Sequence, residues 1–194
     1  MPDQEAPTNA TLHGVLVDVF GVGVLLLGES GTGKSECALD LVSRGHRLVA
    51  DDVVETIRQG DGIVIGRGAV RARHHMEVRG LGIISVRDLF GVTAIRYRKR
   101  IELVIRLEPW QSGEEYDRLG VAEATHEILG VPLSLLRIPV SAGRSIAILV
   151  EVAARNHLLK LMGVHSARSF LADLGKTGSP VPGDPPSYSR EDVE

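Results

Sequence analysis

Apolar residues recur regularly through the middle of the chain and become sparse at both ends. Residues 1–11 and 175–194 are rich in Pro, Gly and polar side chains. They offer little surface to bury, so we expect a flexible leader and a disordered tail. Residues 12–174 carry the periodic pattern without an internal repeat. The pattern therefore predicts one folded domain between two flexible ends.

Alternation of apolar side chains predicts several strands in this domain. Residues 12–20 alternate, with Val15, Val17 and Val19 on one face, and predict a single strand. The almost wholly apolar run 22–27 is typical of a strand buried on both faces. Residues 53–58 and 63–65 predict a hairpin around a Gly-Asp-Gly turn. Further short strands are predicted at residues 48–50, 101–107 and 135–140.

Helical spacing appears in two segments. Residues 34–44 place Ala38, Leu41 and Val42 on one face, and Gly45 is a natural stop. Residues 145–162 form the longest apolar stripe with helical period. Together the elements predict an α/β fold with more hairpin strands than a regular doubly wound sheet contains.

Composition narrows the classes of function. Apolar residues make up 43% of the chain, aromatics only 4%, and the net charge is −3. The scarcity of aromatic and basic residues argues against a nucleic-acid partner. A single cysteine excludes an internal disulfide framework. No apolar run approaches the roughly 20 residues that cross a bilayer. We therefore expect a cytoplasmic protein without a membrane partner.

One motif carries specific chemistry. It matches the pattern G-x-x-x-x-G-K-[ST] between a predicted strand and a predicted helix. Its residues are Gly28, Glu29, Ser30, Gly31, Thr32, Gly33, Lys34 and Ser35. Glycines allow backbone N–H groups to surround a phosphate, the lysine reaches the β- and γ-phosphates, and the hydroxyl ligates Mg²⁺. The motif predicts binding of ATP and Mg²⁺; the alternative is a glycine-rich turn before an ordinary helix.

Two adjacent carboxylates follow the next predicted strand. Asp51 and Asp52 stand where P-loop proteins carry the acid of their magnesium site. One acid can serve the metal, and another can accept the proton of an attacking hydroxyl. Without the upstream P-loop the pair would be interpreted as solvated turn residues.

Four further features are weaker in isolation. Residues 77–83 begin at Glu77 and show neither helical nor strand period, as in a mobile loop that lends a metal ligand or in an ordinary surface loop. Arg118 could stabilise phosphoryl charge or pair with its neighbour Asp117. His13 is a lone strand histidine, and such residues are more often structural. The basic run 96–100 is most simply a solvated loop.

Taken together, these segments resemble HPr kinase/phosphorylase, a bacterial enzyme family that phosphorylates a serine of the phosphocarrier protein HPr. The resemblance runs from about His13 to Gly163. Its segments are residues 13–18, 28–35, 44–52, 77–84, 116–120, 139–140 with 143–144, and 151–154 with 156.

The resemblance implies roles for individual residues. Lys34 is expected to bind phosphate, Ser35 and Glu77 to ligate Mg²⁺, and Asp52 to accept the proton of the acceptor serine. His13 and Arg118 are similar to further active-site residues of the family. Residues 76–85 resemble a segment needed in both directions of the reaction. Residues 139–144 resemble a segment that the family needs for dephosphorylation. They are Pro139, Val140, Ser141, Ala142, Gly143 and Arg144.

The resemblance also implies a reverse reaction, a fold and an assembly. Reversal is a phosphorolysis, in which inorganic phosphate attacks phosphoserine and pyrophosphate leaves. The implied fold is similar to the nucleotide-binding part of phosphoenolpyruvate carboxykinase, and the implied assembly is a hexamer. Family members commonly carry an N-terminal domain before the segment that begins at His13. Two alternatives stay open: a kinase with a different acceptor, and an ATP-binding regulator without phosphoryl transfer.

Overall fold

The secondary structure is mixed α/β in the computed structural model, which describes residues 8–60, 62–70, 72–110, 123–141 and 143–175. The strands are β1 (Asn9–His13), β2 (Val15–Val19), β3 (Val22–Leu27), β4 (Arg47–Ala50), β5 (Val53–Gln59), β6 (Ile63–Gly68), β7 (His75–Val78), β8 (Gly82–Ser85), β9 (Arg98–Arg100), β10 (Leu103–Pro109), β11 (Ala124–Ile128) and β12 (Val131–Val140). The helices are α1 (Lys34–Ser43), α2 (Val86–Phe90), α3 (Ile146–Leu161) and α4 (Ser166–Gly175), with a 3-10 turn at Val92–Ala94.

A six-stranded sheet forms the centre of the fold, in the order β11-β12-β10-β3-β2-β4. Strands β3, β10 and β12 are parallel, so their carboxyl ends meet at one edge. Every residue of β2 is buried, as is nearly all of β3, which explains their near-continuous apolar sequence. This edge of the sheet therefore gathers the segments that follow three different strands.

Two hydrophobic clusters cover the two faces of this sheet. Helices α1 and α3 pack on one face, together with Met76 and Val78 of β7. The other face packs against a second sheet, in the order β1-β5-β6-β9. Side chains alternate between the clusters along β2, with Val15 and Val17 in the first and Leu16 in the second. The result is three layers: helices, central sheet and smaller sheet.

The prediction of one strand over residues 12–20 is wrong, because the chain changes sheets at Gly14. Strand β1 pairs with β5 in the smaller sheet, whereas β2 pairs with β3 and β4 in the central one. A Cβ at Gly14 would lie 2.7 Å from the carbonyl oxygen of Leu26. Only glycine permits this close crossing, and alternation alone could not reveal it.

The other predicted elements are confirmed with shifted ends. The hairpin exists as β5 and β6, and the predicted helices are α1 and α3. The strands predicted at 48–50, 101–107 and 135–140 overlap β4, β10 and β12. Strand β11 and helices α2 and α4 were not predicted. Residues 96–100 are not a solvated loop throughout, because β9 pairs with β6 there.

The predicted loop at residues 77–83 is also wrong, because β7 and β8 form an antiparallel hairpin there. Met76 and Val78 are buried while Glu77 is exposed, and strands this short give little periodic signal.

The predicted ends are only partly within the described chain. Strand β1 begins at Asn9, so residues 9–11 of the predicted leader are paired with β5. Helix α4 includes Gly175, the first residue of the predicted tail. Residues 1–7 and 176–194 lie outside the described residues. Among the described residues, no helix is long and apolar enough to span a membrane.

Candidate active site

The phosphate loop connects the carboxyl end of β3 to the start of α1. Gly28 has a φ of 149°, and a Cβ there would lie 2.5 Å from the carbonyl oxygen of Leu107. Gly33 caps α1 in the left-handed conformation. Both positions need glycine, for contact with β10 and for the turn into the helix. The motif therefore has the strand–loop–helix setting that its chemistry requires.

The interior of this loop presents donors without acceptors. Among the described residues, no protein acceptor contacts the backbone N–H groups of Gly31, Gly33 and Lys34. The Lys34 Nζ donates to the carbonyl oxygens of Gly28 at 2.9 Å and Glu29 at 2.8 Å. Free N–H groups, a helix N-terminus and an ammonium group in one turn fit a polyphosphate.

Asp51 lies directly beside the loop. The Ser35 hydroxyl donates to Asp51 Oδ1 at 2.9 Å, and the backbone N–H of Glu77 donates to Asp51 Oδ2 at 3.3 Å. Asp51 is only 8% exposed. Its carboxylate therefore joins α1, β4 and the β7–β8 hairpin at one point.

Burial raises the pKa of Asp51 above its ordinary value. The hydrogen bonds from Ser35 and Glu77 act in the opposite direction, and the charge of Asp52 adds to the increase. A buried carboxylate without a cation is costly. This electrostatic cost is one that a bound divalent cation would relieve, so Ser35 and Asp51 fit a magnesium site.

Asp52 has the opposite environment although it is the next residue. Its φ is 62°, and its side chain is 78% exposed. Oδ1 of Asp52 lies 3.7 Å from Nδ1 of His13, the last residue of β1. The backbone N–H of Gly14 donates to the Asp52 carbonyl at 3.0 Å. This bond holds the end of β1 beside the start of β5. Asp52 and His13 thus form an open acid–imidazole pair that a large acceptor can reach.

The β7–β8 hairpin brings two charged residues to the loop. Glu77 is exposed on β7, and its backbone N–H contacts Asp51. The guanidinium of Arg79 reaches to 3.9 Å from the position that a Cβ on Gly31 would occupy. No hydrogen bond or ion pair within the described part of the chain engages the Arg79 side chain. Arg79 therefore supplies an unpaired cation at the mouth of the phosphate loop.

Residues 139–144 begin with the last two residues of β12, at the same edge of the sheet. Pro139 and Val140 pair with the end of β10, and Pro139 is buried. Nη1 of Arg144 donates to the Pro139 carbonyl at 3.3 Å, and Gly143 has a φ of 81°. Because β12 is parallel to β10, and β10 to β3, this segment and the P-loop emerge on the same side of the molecule.

The structure brings most of the sequence-derived candidates to one edge, but not all can be placed. Arg118 and Ala142 lie outside the described residues. Within the described ranges, no group of three or more His, Cys, Asp or Glu residues could by itself hold a metal ion. A magnesium site here would therefore depend on the Ser35 hydroxyl, few carboxylates, water and phosphate oxygens, as Mg²⁺ commonly does.

The structure singles out Asp51 and Arg79 beside the phosphate loop, which the residue pattern alone did not do for either residue. The residue pattern alone, without the family resemblance, leaves Asp51 and Asp52 equivalent, and burial against Ser35 distinguishes Asp51. Arg79 belongs to the segment 77–83, in which the sequence singles out only Glu77. No local pattern signals its position, because the contact joins residues far apart in the chain.

Known proteins with similar sequences identify the family of this chain. Residues 4–174 match the family model described as HPr Serine kinase C-terminal domain. HPr kinase/phosphorylase of Geobacter sulfurreducens is 58% identical over 159 residues, covering 82% of this chain and 50% of that protein. The Bacillus subtilis enzyme of the same name is 51% identical over 176 residues, covering 89% of this chain and 56% of that protein. The chain thus spans about half the length of these relatives.

A solved structure agrees with the fold. The structure titled Hpr(Ser) kinase/phosphatase from Coxiella burnetii superposes with a TM-score of 0.75 at 34% identity, covering 83% of this chain and 98% of that one. The mixed α/β fold with its sheets is therefore shared with that protein. The chain belongs to the HPr Serine kinase C-terminal domain family.

Proposed function

We propose that this chain is the catalytic domain of an ATP- and Mg²⁺-dependent protein kinase that phosphorylates a serine of HPr and reverses the reaction by phosphorolysis. The observation that carries the proposal is the contact of the P-loop Ser35 with buried Asp51, beside the exposed Asp52. In our proposal these residues would supply a phosphate site, a metal-binding pair and a base open to a macromolecular acceptor. The names of the relatives supply the acceptor.

The forward reaction begins with nucleotide binding. The N–H groups of the phosphate loop hold the β- and γ-phosphates, and the Nζ of Lys34 moves from its loop carbonyls to a phosphate oxygen. Ser35, with Asp51 and Glu77 beside it, would hold Mg²⁺, which when bound draws negative charge from the transferred phosphoryl group. Arg79 contributes a second protein cation at the mouth of the loop.

Proton transfer is assigned to Asp52. The acceptor serine hydroxyl attacks the γ-phosphorus, its proton passes to the Asp52 carboxylate, and ADP leaves. His13 lies 3.7 Å from that carboxylate and positions it. In the reverse direction Asp52 returns the proton to the serine oxygen as phosphate attacks phosphoserine and pyrophosphate forms. We assign residues 139–144 to that direction, with Arg144 available to a phosphate anion.

Other parts of the proposal rest on the family resemblance. We extend it to a fold like the nucleotide-binding part of phosphoenolpyruvate carboxykinase, a homo-hexameric assembly and a cytoplasmic location. Arg118 belongs to the proposed active site on the same basis.

The test is incubation with γ-labelled ATP, Mg²⁺ and HPr. Label on wild-type HPr but not on an HPr in which the acceptor serine is alanine supports the proposal. Label that appears only on other proteins of a bacterial extract indicates a different acceptor. ATP binding without transfer to any protein indicates a regulator. Addition of phosphate to labelled HPr should release labelled pyrophosphate.

A further inference from the structure

A second cleft lies at the end of the central sheet opposite the phosphate loop. It has a volume of about 270 Å³ and lies between the second half of α3 and strands β10–β12. Leu103, the first residue of β10, lines it and pairs with Val24 of β3. The phosphate loop begins about 13 Å further along β3, at its other end. The cleft is therefore separate from the candidate active site.

The cleft exists because the face of α3 that packs on the sheet is apolar in its first part and polar near its end. Ala147, Val150 and Ala154 form a fully buried stripe against the sheet. The next position of this stripe is His157, which is only half-buried and leaves space where a large apolar side chain would pack. A polar residue at a core-facing position of a helix needs a partner to satisfy its hydrogen-bonding groups.

Four polar side chains converge on this space. Asn156, His157 and Lys160 come from α3, and His165 follows the helix. None of the four makes a side-chain hydrogen bond or ion pair within the described ranges. Burial lowers the pKa of His157, and among the nearby charges Lys160 and Arg100 lower it further while Glu102 opposes them. The imidazole is therefore a neutral donor or acceptor at pH 7.

The charge balance of the cleft favours an anion. Among the described residues that line it, Lys160 is a cation without an ion pair, and the carboxylate of Glu123 at the rim is engaged by Arg168 at 3.1 Å. The remaining surface is largely apolar and includes Leu103 and Leu136. A small apolar cleft with a few convergent polar groups is the usual form of a small-molecule site.

We infer that this cleft binds a small organic anion, with its anionic head on Lys160, Asn156 and His157 and its apolar body on Leu103 and Leu136. The volume of about 270 Å³ accommodates a short-chain carboxylate or phosphate monoester. The site is independent of the phosphate loop and of the proposed kinase activity.

The test uses hexanoate and hexyl phosphate as probes and hexylamine as the charge-reversed control, titrated into the full chain and followed by calorimetry and amide NMR shifts. We expect at least one anion to bind with a dissociation constant below about 1 mM, with shifts at residues 156–161, and hexylamine not to bind. The preferred probe identifies carboxylates or phosphate esters as the class.

Two variants within the cleft and one control variant outside it localise the site. Lys160→Met should weaken anion binding by about ten- to a hundredfold, because a charge-assisted contact is lost. Arg98→Met, which removes the same charge from β9, should leave binding unchanged. Ala153→Leu should abolish binding by filling the cleft. A thermal melt of this variant should still show a cooperative unfolding transition, as expected of a folded protein.

Several results would overturn the inference. They are no binding of either anion, equal binding of hexylamine, equal affinity in the Lys160 and Arg98 variants, or undiminished binding by the Ala153 variant. Loss of kinase activity with retained anion binding would count against the proposed function alone.

Discussion

The adjacent acids Asp51 and Asp52 allow a sharp test, because replacing each carboxylate by its amide should produce opposite phenotypes. Asp51 is buried and accepts hydrogen bonds from Ser35 and Glu77, whereas Asp52 is exposed and faces His13. The pair of variants Asp51→Asn and Asp52→Asn is matched in size and in charge removed. Differences in stability and activity between the two variants therefore report on the different surroundings of the two carboxylates.

Asp52→Asn should remove catalysis without affecting stability. Its side chain is 78% exposed, and asparagine tolerates the φ of 62° as well as aspartate does. We expect the free energy of unfolding to change by less than about 0.5 kcal/mol. Turnover should fall by about two to four orders of magnitude, because the amide cannot accept the serine proton. Phosphorolysis should slow as well, while ATP affinity is retained.

Asp51→Asn should instead preserve or increase stability and weaken the response to Mg²⁺. The amide oxygen can accept from the Glu77 N–H while its NH₂ donates to the Ser35 hydroxyl, so both contacts persist. The neutral side chain also avoids the cost of a buried charge. Asp51→Ala leaves the two donors without this acceptor, and we expect it to be less stable than the Asn variant by about 1–3 kcal/mol. For a domain of this size the melting temperatures would differ by about 2–12 °C.

The difference in stability between the wild type and Asp51→Asn should depend on pH with a definite sign. The folded-state pKa of Asp51 is raised above the ordinary value of 3.8. Folding therefore favours the protonated acid, and the wild type loses stability as pH rises from that value through the raised pKa. Asp51→Asn has no such loss. The gain in stability of Asp51→Asn over the wild type should be complete above the raised pKa of Asp51 and should vanish below pH 3.8.

The assays are thermal melts of nucleotide-free protein from pH 3.5 to 8 and initial rates in both directions over a Mg²⁺ titration. Our assignment of the two acids is refuted if Asp51→Asn lowers turnover more than Asp52→Asn at every Mg²⁺ concentration. Equal stability of Asp51→Ala and Asp51→Asn would refute the hydrogen-bond argument.

Three further substitutions test the remaining assignments. Lys34→Ala should abolish phosphorylation of any acceptor because the loop loses its phosphate-binding ammonium, and unchanged incorporation of label would contradict the P-loop assignment. Arg144→Ala should reduce phosphate-dependent dephosphorylation more than ATP-dependent phosphorylation, and equal losses would remove its special role. Arg79→Ala should lower turnover by about ten- to a hundredfold with partial recovery in Arg79→Lys, whereas Arg98→Ala as a control should be neutral.

Much of the fold and the core of the site could be predicted from local sequence. Gly28, Gly33 and Lys34 predict a strand–loop–helix phosphate site, because backbone conformation at glycine and a helix start depend on the residues themselves. Apolar periodicity predicted α1, α3 and the central strands for the same reason. The short strands β7, β8 and β9 were missed because they carry too few residues for a period to emerge.

Other features depend on contacts between distant residues. The break at Gly14 arises where its backbone meets the Leu26 carbonyl, and the position of Arg79 depends on how the β7–β8 hairpin packs against the phosphate loop.

The sequence by itself determined that this protein has a phosphate loop and two carboxylates after the next strand. Only the tertiary structure shows that the two carboxylates have different environments. Packing of α1 and β7 buries Asp51 against Ser35, while the positive φ of Asp52 turns its side chain outwards towards His13. Adjacent residues of identical chemistry thus acquire different environments, because burial and direction are properties of the assembled layers and not of the residues themselves.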